Sequence, residues 1–179
     1  LRQYHQMTDI QKIALVTGAS RGLGYATALQ LSDAGYHIIA VARTMGGLEE
    51  LADAIEGNDK TITVAAMDVT NEQNLQQLCR SIYDRWGHLD LLVHCANNAP
   101  LLTPASQVSA KDFDTVFNTN TRAVSRIIAM TEPLLRAAPD GQAVFMDDPR
   151  AGEKFFGAYG ASKAAANSLV NSWIEETKN

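Results

Sequence analysis

Apolar and polar positions fall along this chain in a regular beat. Ile13-Ala14-Leu15-Val16 is an unbroken apolar run and predicts a strand over Lys12 to Thr17. From Leu23, apolar residues recur at helical spacing to about Ala34, and Gly35 stands where a helix-ending glycine belongs. A second strand is predicted over Tyr36 to Ala42, running out at Arg43-Thr44. Gly46-Gly47 breaks the chain before a short amphipathic helix, Leu48 to Ile55, closed by Gly57-Asn58-Asp59. Thr61 to Ala66 reads as a third strand ending at Met67-Asp68-Val69, and Thr70 or Asn71 caps a helix that runs to Trp86 and stops at Gly87.

A fourth strand, Leu89 to Cys95, is almost wholly apolar, as a strand covered on both faces must be. Ser109 opens a long helix reaching Leu134-Leu135, in which Pro133 should produce a kink or mark a boundary. After the turn Pro139-Asp140-Gly141 come a fifth strand, Gln142 to Met146, a loop from Asp147 to Gly157, and a last helix, Ala158 to about Glu176. Strand and helix alternate with short connections. That order predicts an α/β fold, a doubly wound parallel sheet between two helical layers, with ligands bound beyond the carboxyl ends of the strands.

Composition narrows the function classes. A chain of 179 residues can bury a real core as one domain. Its net charge of −5 argues against a general binder of nucleic acid or anionic membrane. No apolar run approaches the length of a membrane span. Cys79 and Cys95 are far apart, so the expectation is a reducing, cytoplasmic setting without a disulfide framework. The four histidines show no metal-ligand spacing, and no metal is expected. The single domain is expected over residues 7–179, with Met7 as a start and residues 1–6 as a native extension or a non-native remnant.

Between the first strand and the first helix stands Thr17-Gly18-Ala19-Ser20-Arg21-Gly22-Leu23-Gly24, a T-G-x-x-x-G-x-G turn. Glycines there let backbone approach a pyrophosphate, and the helix N-terminus offers free N–H groups to that anion. Gly18, Ser20, Arg21, Gly22, Leu23 and Gly24 are therefore cofactor-binding candidates. An acidic residue after the second strand would favour NAD. Here Arg43-Thr44 occupies that place, and no carboxylate follows until Glu49. A guanidinium pairs bidentately with a 2′-phosphate, and Arg21 is near enough in sequence to add a second positive charge. The inference is NADP(H), with NAD(H) left open. Asp68 can accept from an adenine amino group while the Val69 N–H donates to the ring; Asp68 can equally serve the turn.

Tyr159-Gly160-Ala161-Ser162-Lys163 sets a phenol and an ammonium one helical turn apart on a shared face. A phenol titrates at pH ~10, and a nearby ammonium together with a cationic nicotinamide lowers that value toward neutrality, which suits Tyr159 to general acid–base work on a carbonyl or alcohol. With this motif in place the chain resembles the classical short-chain dehydrogenase/reductase family over nearly all of residues 11 to 178. The glycine turn, Asp68, Asn120 and Tyr159/Lys163 occur in family order and at family distances. The resemblance implies a Rossmann-like fold and hydride transfer between a nicotinamide and a small carbonyl or alcohol. It also implies a Lys163 bond to the nicotinamide ribose, an Asn120-held water that relays protons, and a homodimer or homotetramer.

Three departures stand out. The family's carbonyl-orienting serine after the fifth strand is absent: no serine lies between Ser125 and Ser162. Counting from the strand, Asp148 takes its place, with Asp147 second. An ionised carboxylate there would repel a developing alkoxide and raise the Tyr159 pKa; a protonated one could donate as serine would, or Arg150 could neutralise either aspartate. The alternative to an active enzyme is thus an NADP(H)-binding protein with little catalysis. The family's N-N-A-G aligns with His94-Cys95-Ala96-Asn97 in strand register, so Cys95 and Ala96 should pass the cofactor ribose, although Asn97-Asn98-Ala99-Pro100 looks more similar three residues later. Finally, the chain lacks the family's usual C-terminal strands.

Overall fold

The computed structural model describes residues 11–58 and 60–178. The extension expected over 1–6, Met7, and Asp59 of the turn after the second helix lie outside the described residues. Five strands form one wholly parallel sheet: β1 Ile13–Thr17, β2 His37–Ala42, β3 Ile62–Ala66, β4 Leu91–His94 and β5 Gln142–Phe145, in the order β3-β2-β1-β4-β5. Six α-helices flank it: α1 Gly22–Asp33, α2 Gly46–Glu56, α3 Glu72–Trp86, α4 Ala110–Phe117, α5 Ala123–Ala137 and α6 Gly157–Thr177. The strand order reverses between β1 and β4, which is where a parallel sheet of this kind opens a crevice.

Two cores hold the layers. On one face Ile13, Leu15, Ile39, Leu75, Ile82, Leu92, Ile127 and Leu134 join the sheet to α3 and α5. On the other Ala14, Val16, Ile38, Ala40, Leu48, Leu51, Ile55 and Val93 join it to α1 and α2. Alternate residues of β1 and β2 feed opposite cores, so both strands are buried throughout. The sheet edges are less covered: Val144 of β5 is 43% exposed.

The expected elements form, with four local differences. Gly46-Gly47 does not break the chain but makes the first turn of α2; a Cβ on Gly47 would meet the Ser20 carbonyl oxygen at 2.4 Å, so the glycine lets α2 lie against the first loop. β4 is shorter than expected because the Leu89 N–H turns aside to the Leu134 carbonyl and the Asp90 carboxylate accepts from the Ile13 N–H. Pro133 is no boundary: α5 continues to Ala137, held down by buried Ile127, Leu134 and Leu135. The long helix is not uniform. Residues Asn118–Arg122 form a π-helical turn between α4 and α5, closed by the Ala123 N–H donating to the Asn118 carbonyl.

Candidate active site

The carboxyl ends of β1 to β5 enclose a cleft of about 460 Å³. Thr17 ends β1 buried, and Gly18 follows with φ +67. A Cβ on Gly18 would stand 2.8 Å from the Ala96 nitrogen and 2.9 Å from the Cys95 carbonyl carbon. Only glycine lets the β1 and β4 loops run this close. Gly24 is equally constrained, its Cβ site lying 2.3 Å from the Gly18 carbonyl oxygen. Gly22, at φ +56, has nothing within 4 Å of its Cβ site and faces open space.

The start of α1 is bare. Arg21 at its N-cap makes no side-chain cap, and its first turn carries no acidic residue. By contrast, Asn71 caps α3 through the Asn74 N–H, and Ser109 caps α4 through the Asp112 N–H. Uncapped N–H groups and the positive end of the helix dipole at a glycine-lined cleft suit an anionic phosphate. The cradle fits a dinucleotide pyrophosphate on its own geometry.

Gly18, Ser20, Arg21, Gly22, Leu23 and Gly24 all line the cleft, as do Arg43, Asp68, Val69, Cys95 and Ala96. Thr44 does not; the chain turns away after Arg43. Arg21 and Arg43 are both exposed, and neither forms an ion pair among the described residues. Asp68 serves the turn before α3, its Oδ1 accepting from the Thr70 N–H and hydroxyl at 2.8 Å each. The β4 register agrees with the sequence alignment: Thr17 pairs with His94, and Cys95 and Ala96 cross the glycine loop. Burial pushes the Cys95 thiol pKa up, so it packs as a small apolar group.

Sequence reasoning missed Val41, Ala42, Met67, Asn97, Asn98, Thr119 and Met146, which complete the cleft wall. The first three follow simply from being the last residues of β2 and the first past β3. Asn97 and Asn98 were visible as a look-alike motif. Asn97 meets the Tyr159 hydroxyl, and Asn98 is held by Asn120.

Tyr159 and Lys163 both line the cleft from α6. Lys163 is buried and its Nζ donates to the Met146 carbonyl at the end of β5. Burial lowers its pKa, while Asp147 and Asp148 act in the opposite direction. The Tyr159 hydroxyl donates to Asp148 Oδ2 at 3.0 Å, and Asn97 Nδ2 approaches the same phenol oxygen at 3.5 Å. The protein's own groups raise the phenol pKa rather than lower it. Burial raises it first, the Asn97 contact opposes, and the Asp148 carboxylate raises it further.

Asp148, not Asp147, occupies the position facing Tyr159. Arg150 grips it bidentately, Nε to Oδ1 at 2.9 Å and Nη2 to Oδ2 at 2.7 Å, and adds its own backbone N–H to Oδ1 at 3.1 Å. These Arg150 bonds hold the Asp148 carboxyl well below the usual carboxylate range. Of the three forms open in sequence, these contacts favour an aspartate neutralised by Arg150. Asp147 turns elsewhere, accepting from the Asp148 N–H and from Asn167 Nδ2.

Asn120 sits in the π-helical turn, buried, and does not line the cleft itself. Its Oδ1 accepts from the Asn98 N–H at 2.7 Å; its Nδ2 donates to the Asn98 carbonyl at 2.9 Å and to Ser162 Oγ at 3.0 Å. The side chain ties the β4 loop to the helix carrying Tyr159 and Lys163. These bonds use both amide protons and one of the two lone pairs of Oδ1. Among the described residues, no group of three His, Cys, Asp or Glu is arranged to hold a metal ion, and no helix is long and apolar enough to cross a membrane.

The comparisons agree with this geometry. The family described as short chain dehydrogenase matches residues 12–179. An NADPH-dependent pterin aldehyde reductase of Arabidopsis thaliana is 29% identical over 167 residues, 92% of this chain and 69% of that protein. Among solved structures, a short chain dehydrogenase from Pseudomonas syringae superposes with a TM-score of 0.90 at 29% identity, covering 95% of this chain and 73% of its own. A metagenomic short-chain oxidoreductase in complex with NADP gives 0.87 at 25% identity, covering 93% and 77%. A parallel sheet with a glycine cradle at its switch point, a Tyr159/Lys163 pair in the same cleft and a family match along almost the whole length lead to one conclusion: the chain belongs to the short-chain dehydrogenase family of oxidoreductases.

Proposed function

We propose that this chain is an NADP(H)-dependent oxidoreductase, a single domain over residues 7–179. It moves a hydride between the nicotinamide and a small-molecule carbon–heteroatom bond presented to Tyr159. Carbonyl/alcohol couples are the substrates that family resemblance suggests. The observation that carries the reading is one cleft lined at once by the glycine cradle, Arg21 and Arg43, and Tyr159 with Lys163. The bound dinucleotide supplies the hydride; the chain's residues bind, orient and exclude water. Gly18 to Gly24 hold the pyrophosphate, Arg21 and Arg43 the 2′-phosphate, Asp68 and Val69 the adenine end. Cys95 and Ala96 pass the ribose, Lys163 bonds it, and Tyr159 faces the reacting atoms. The printed names of the Arabidopsis relative and the metagenomic neighbour, which mention NADPH and NADP, favour the same cofactor. Two unbridged cysteines fit a reducing cytoplasm. Exposed Leu169 and Ile174 on α6 favour a homodimer or homotetramer.

A second reading, cofactor binding with little carbonyl turnover, is favoured by one observation: the Tyr159 proton is directed to the ionised Asp148 rather than to a substrate. Fluorescence titration tests the cofactor assignment. NADPH should bind more tightly than NADH, and Arg43→Ala should weaken NADPH by about tenfold to a hundredfold, the worth of a charge-assisted hydrogen bond, while leaving NADH unchanged. Equal affinity for the two dinucleotides in the unmodified protein would overturn it.

A further inference from the structure

The proton inventory around Tyr159 is unusual for a site that reduces ketones. A phenol has one proton and two lone pairs. Here the proton goes to Asp148 Oδ2 at 3.0 Å, and one lone pair faces Asn97 Nδ2 at 3.5 Å. What Tyr159 has left for a substrate is a lone pair. A neutral carbonyl brings only lone pairs of its own, so the two would repel. The Asp148 carboxylate is saturated as well: Tyr159 and three Arg150 donors occupy its acceptor sites. Its charge acts on the cleft through space. The Asp148 side chain is 11% exposed and that of Arg150 is 57% exposed. Water therefore screens the guanidinium more than the carboxylate, and the pair turns its negative end inward.

We infer that, within the hydride-transfer reading given above, the reacting group is a protonated imine rather than a ketone: an iminium whose N–H donates to the Tyr159 oxygen and whose positive charge faces Asp148. The step balances without a proton from the protein. A hydride from the reduced nicotinamide forms a C–H bond at the iminium carbon. The C=N π bond breaks and its pair becomes the nitrogen lone pair, and the nicotinamide is oxidised by two electrons. The amine takes a proton from water as it leaves. A carbonyl would instead build an alkoxide against a carboxylate. The apolar body of the substrate has a place to lie. A hollow of about 270 Å³ reaches Tyr159; Leu101, Leu102, Phe155 and Phe156 give it apolar walls, with Asp112 also in its lining. Leu101 is 90% exposed there, and Phe155 is held at φ 70, a backbone strain that clusters at ligand sites.

The test separates binding from turnover. N-methylbenzylamine, cationic at pH 7, and benzyl alcohol are titrated calorimetrically into the full chain without cofactor. The cation should bind at least about tenfold more tightly, the range an opposite charge at short distance commands. Asp148→Asn and Asp148→Ser should erase the preference. Arg150→Gln, which frees the carboxylate of its partner, should strengthen it and serves if the Asp148 variants do not fold. With NADPH, 2-phenyl-1-pyrroline should be consumed with a higher kcat/KM than acetophenone, and Asp148→Ser should reverse the order. Benzyl alcohol binding as tightly as the cation, or faster ketone turnover in the unmodified protein, overturns the iminium inference while NADPH binding leaves the cofactor reading intact. Failure to bind NADPH overturns both.

Discussion

The close approach of the β1 and β4 loops at Gly18 gives the sharpest prediction. In Gly18→Ala the new Cβ lies 2.8 Å from the Ala96 nitrogen and 2.9 Å from the Cys95 carbonyl carbon, at φ +67. Both neighbours are backbone, so no side chain can swing aside. The left-handed conformation costs an alanine about 1–2 kcal/mol, and overpacking adds about 1–3 kcal/mol. For a chain of 179 residues the unfolding entropy is about 0.4 kcal/mol/K. The loss of about 2–5 kcal/mol then lowers Tm by about 5–13 °C. Gly22→Ala is the control. Its φ is +56, but nothing lies within 4 Å of its Cβ site. Only the conformational term applies, and Tm should fall by about 3–5 °C. Gly22 faces the cleft, so its variant should lose nucleotide affinity while keeping most of its stability. Scanning calorimetry of the two variants decides the matter. If Gly18→Ala is no less stable than Gly22→Ala, the β1 and β4 loops are not in contact as described.

Two further outcomes follow from buried polar groups. His94 is fully buried with Nδ1 on Thr17 Oγ1 and Nε2 without a partner, and burial followed by the Lys163 charge lowers its pKa from 6.5 to about 4. Between those values the unfolded chain binds the proton and the folded chain does not, so stability falls as pH falls. From pH 7 to pH 5 this amounts to about 2 kcal/mol, and His94→Asn should remove that increment in urea unfolding; an unchanged pH slope would contradict it. Asn120→Ala strands the Asn98 N–H and carbonyl, costs about 2–4 kcal/mol, and should speed hydrogen exchange at the Asn98 amide specifically. Protection equal to that of the unmodified protein would show that Asn98 is held by something else.

The architecture was legible because burial pattern and punctuation agree. A strand covered on both faces must be largely apolar, and β1, β2 and β4 are, each with one polar residue at an end: Thr17, His37 and His94. The glycine turn and the Tyr159/Lys163 spacing could be placed from sequence because backbone geometry fixes them: close approach needs glycine, and a shared helix face needs four residues. What sequence could not supply was which hydrogen bonds the polar groups choose. The phenol next to a lysine was expected to ionise more easily; burial and Asp148 act the other way. Asn120 braces Asn98 and Ser162, a choice of partners that its place in the sequence does not reveal. Thr44 follows Arg43 directly in sequence, yet only Arg43 lines the cleft. The widened turn at Asn118–Arg122 has no signature in a pattern read at 3.6 residues per turn, since it inserts a residue without changing the apolar stripe enough to notice.

That inserted residue reaches beyond one side chain. A uniform rod from Ala110 to Ala137 would offer a single stripe, and every anchor along it would have to share one partner. The looser coil gives the rod two independent orientations: α4 leans on α6, while α5 lies against the sheet and α3. Shortening the rod by one residue would make it more regular and would swing the brace at Asn120 out of reach of the β4 loop and α6, which it joins. The irregular turn thus sets where Asn120 stands, and its hydrogen bonds join one wall of the cleft to the other.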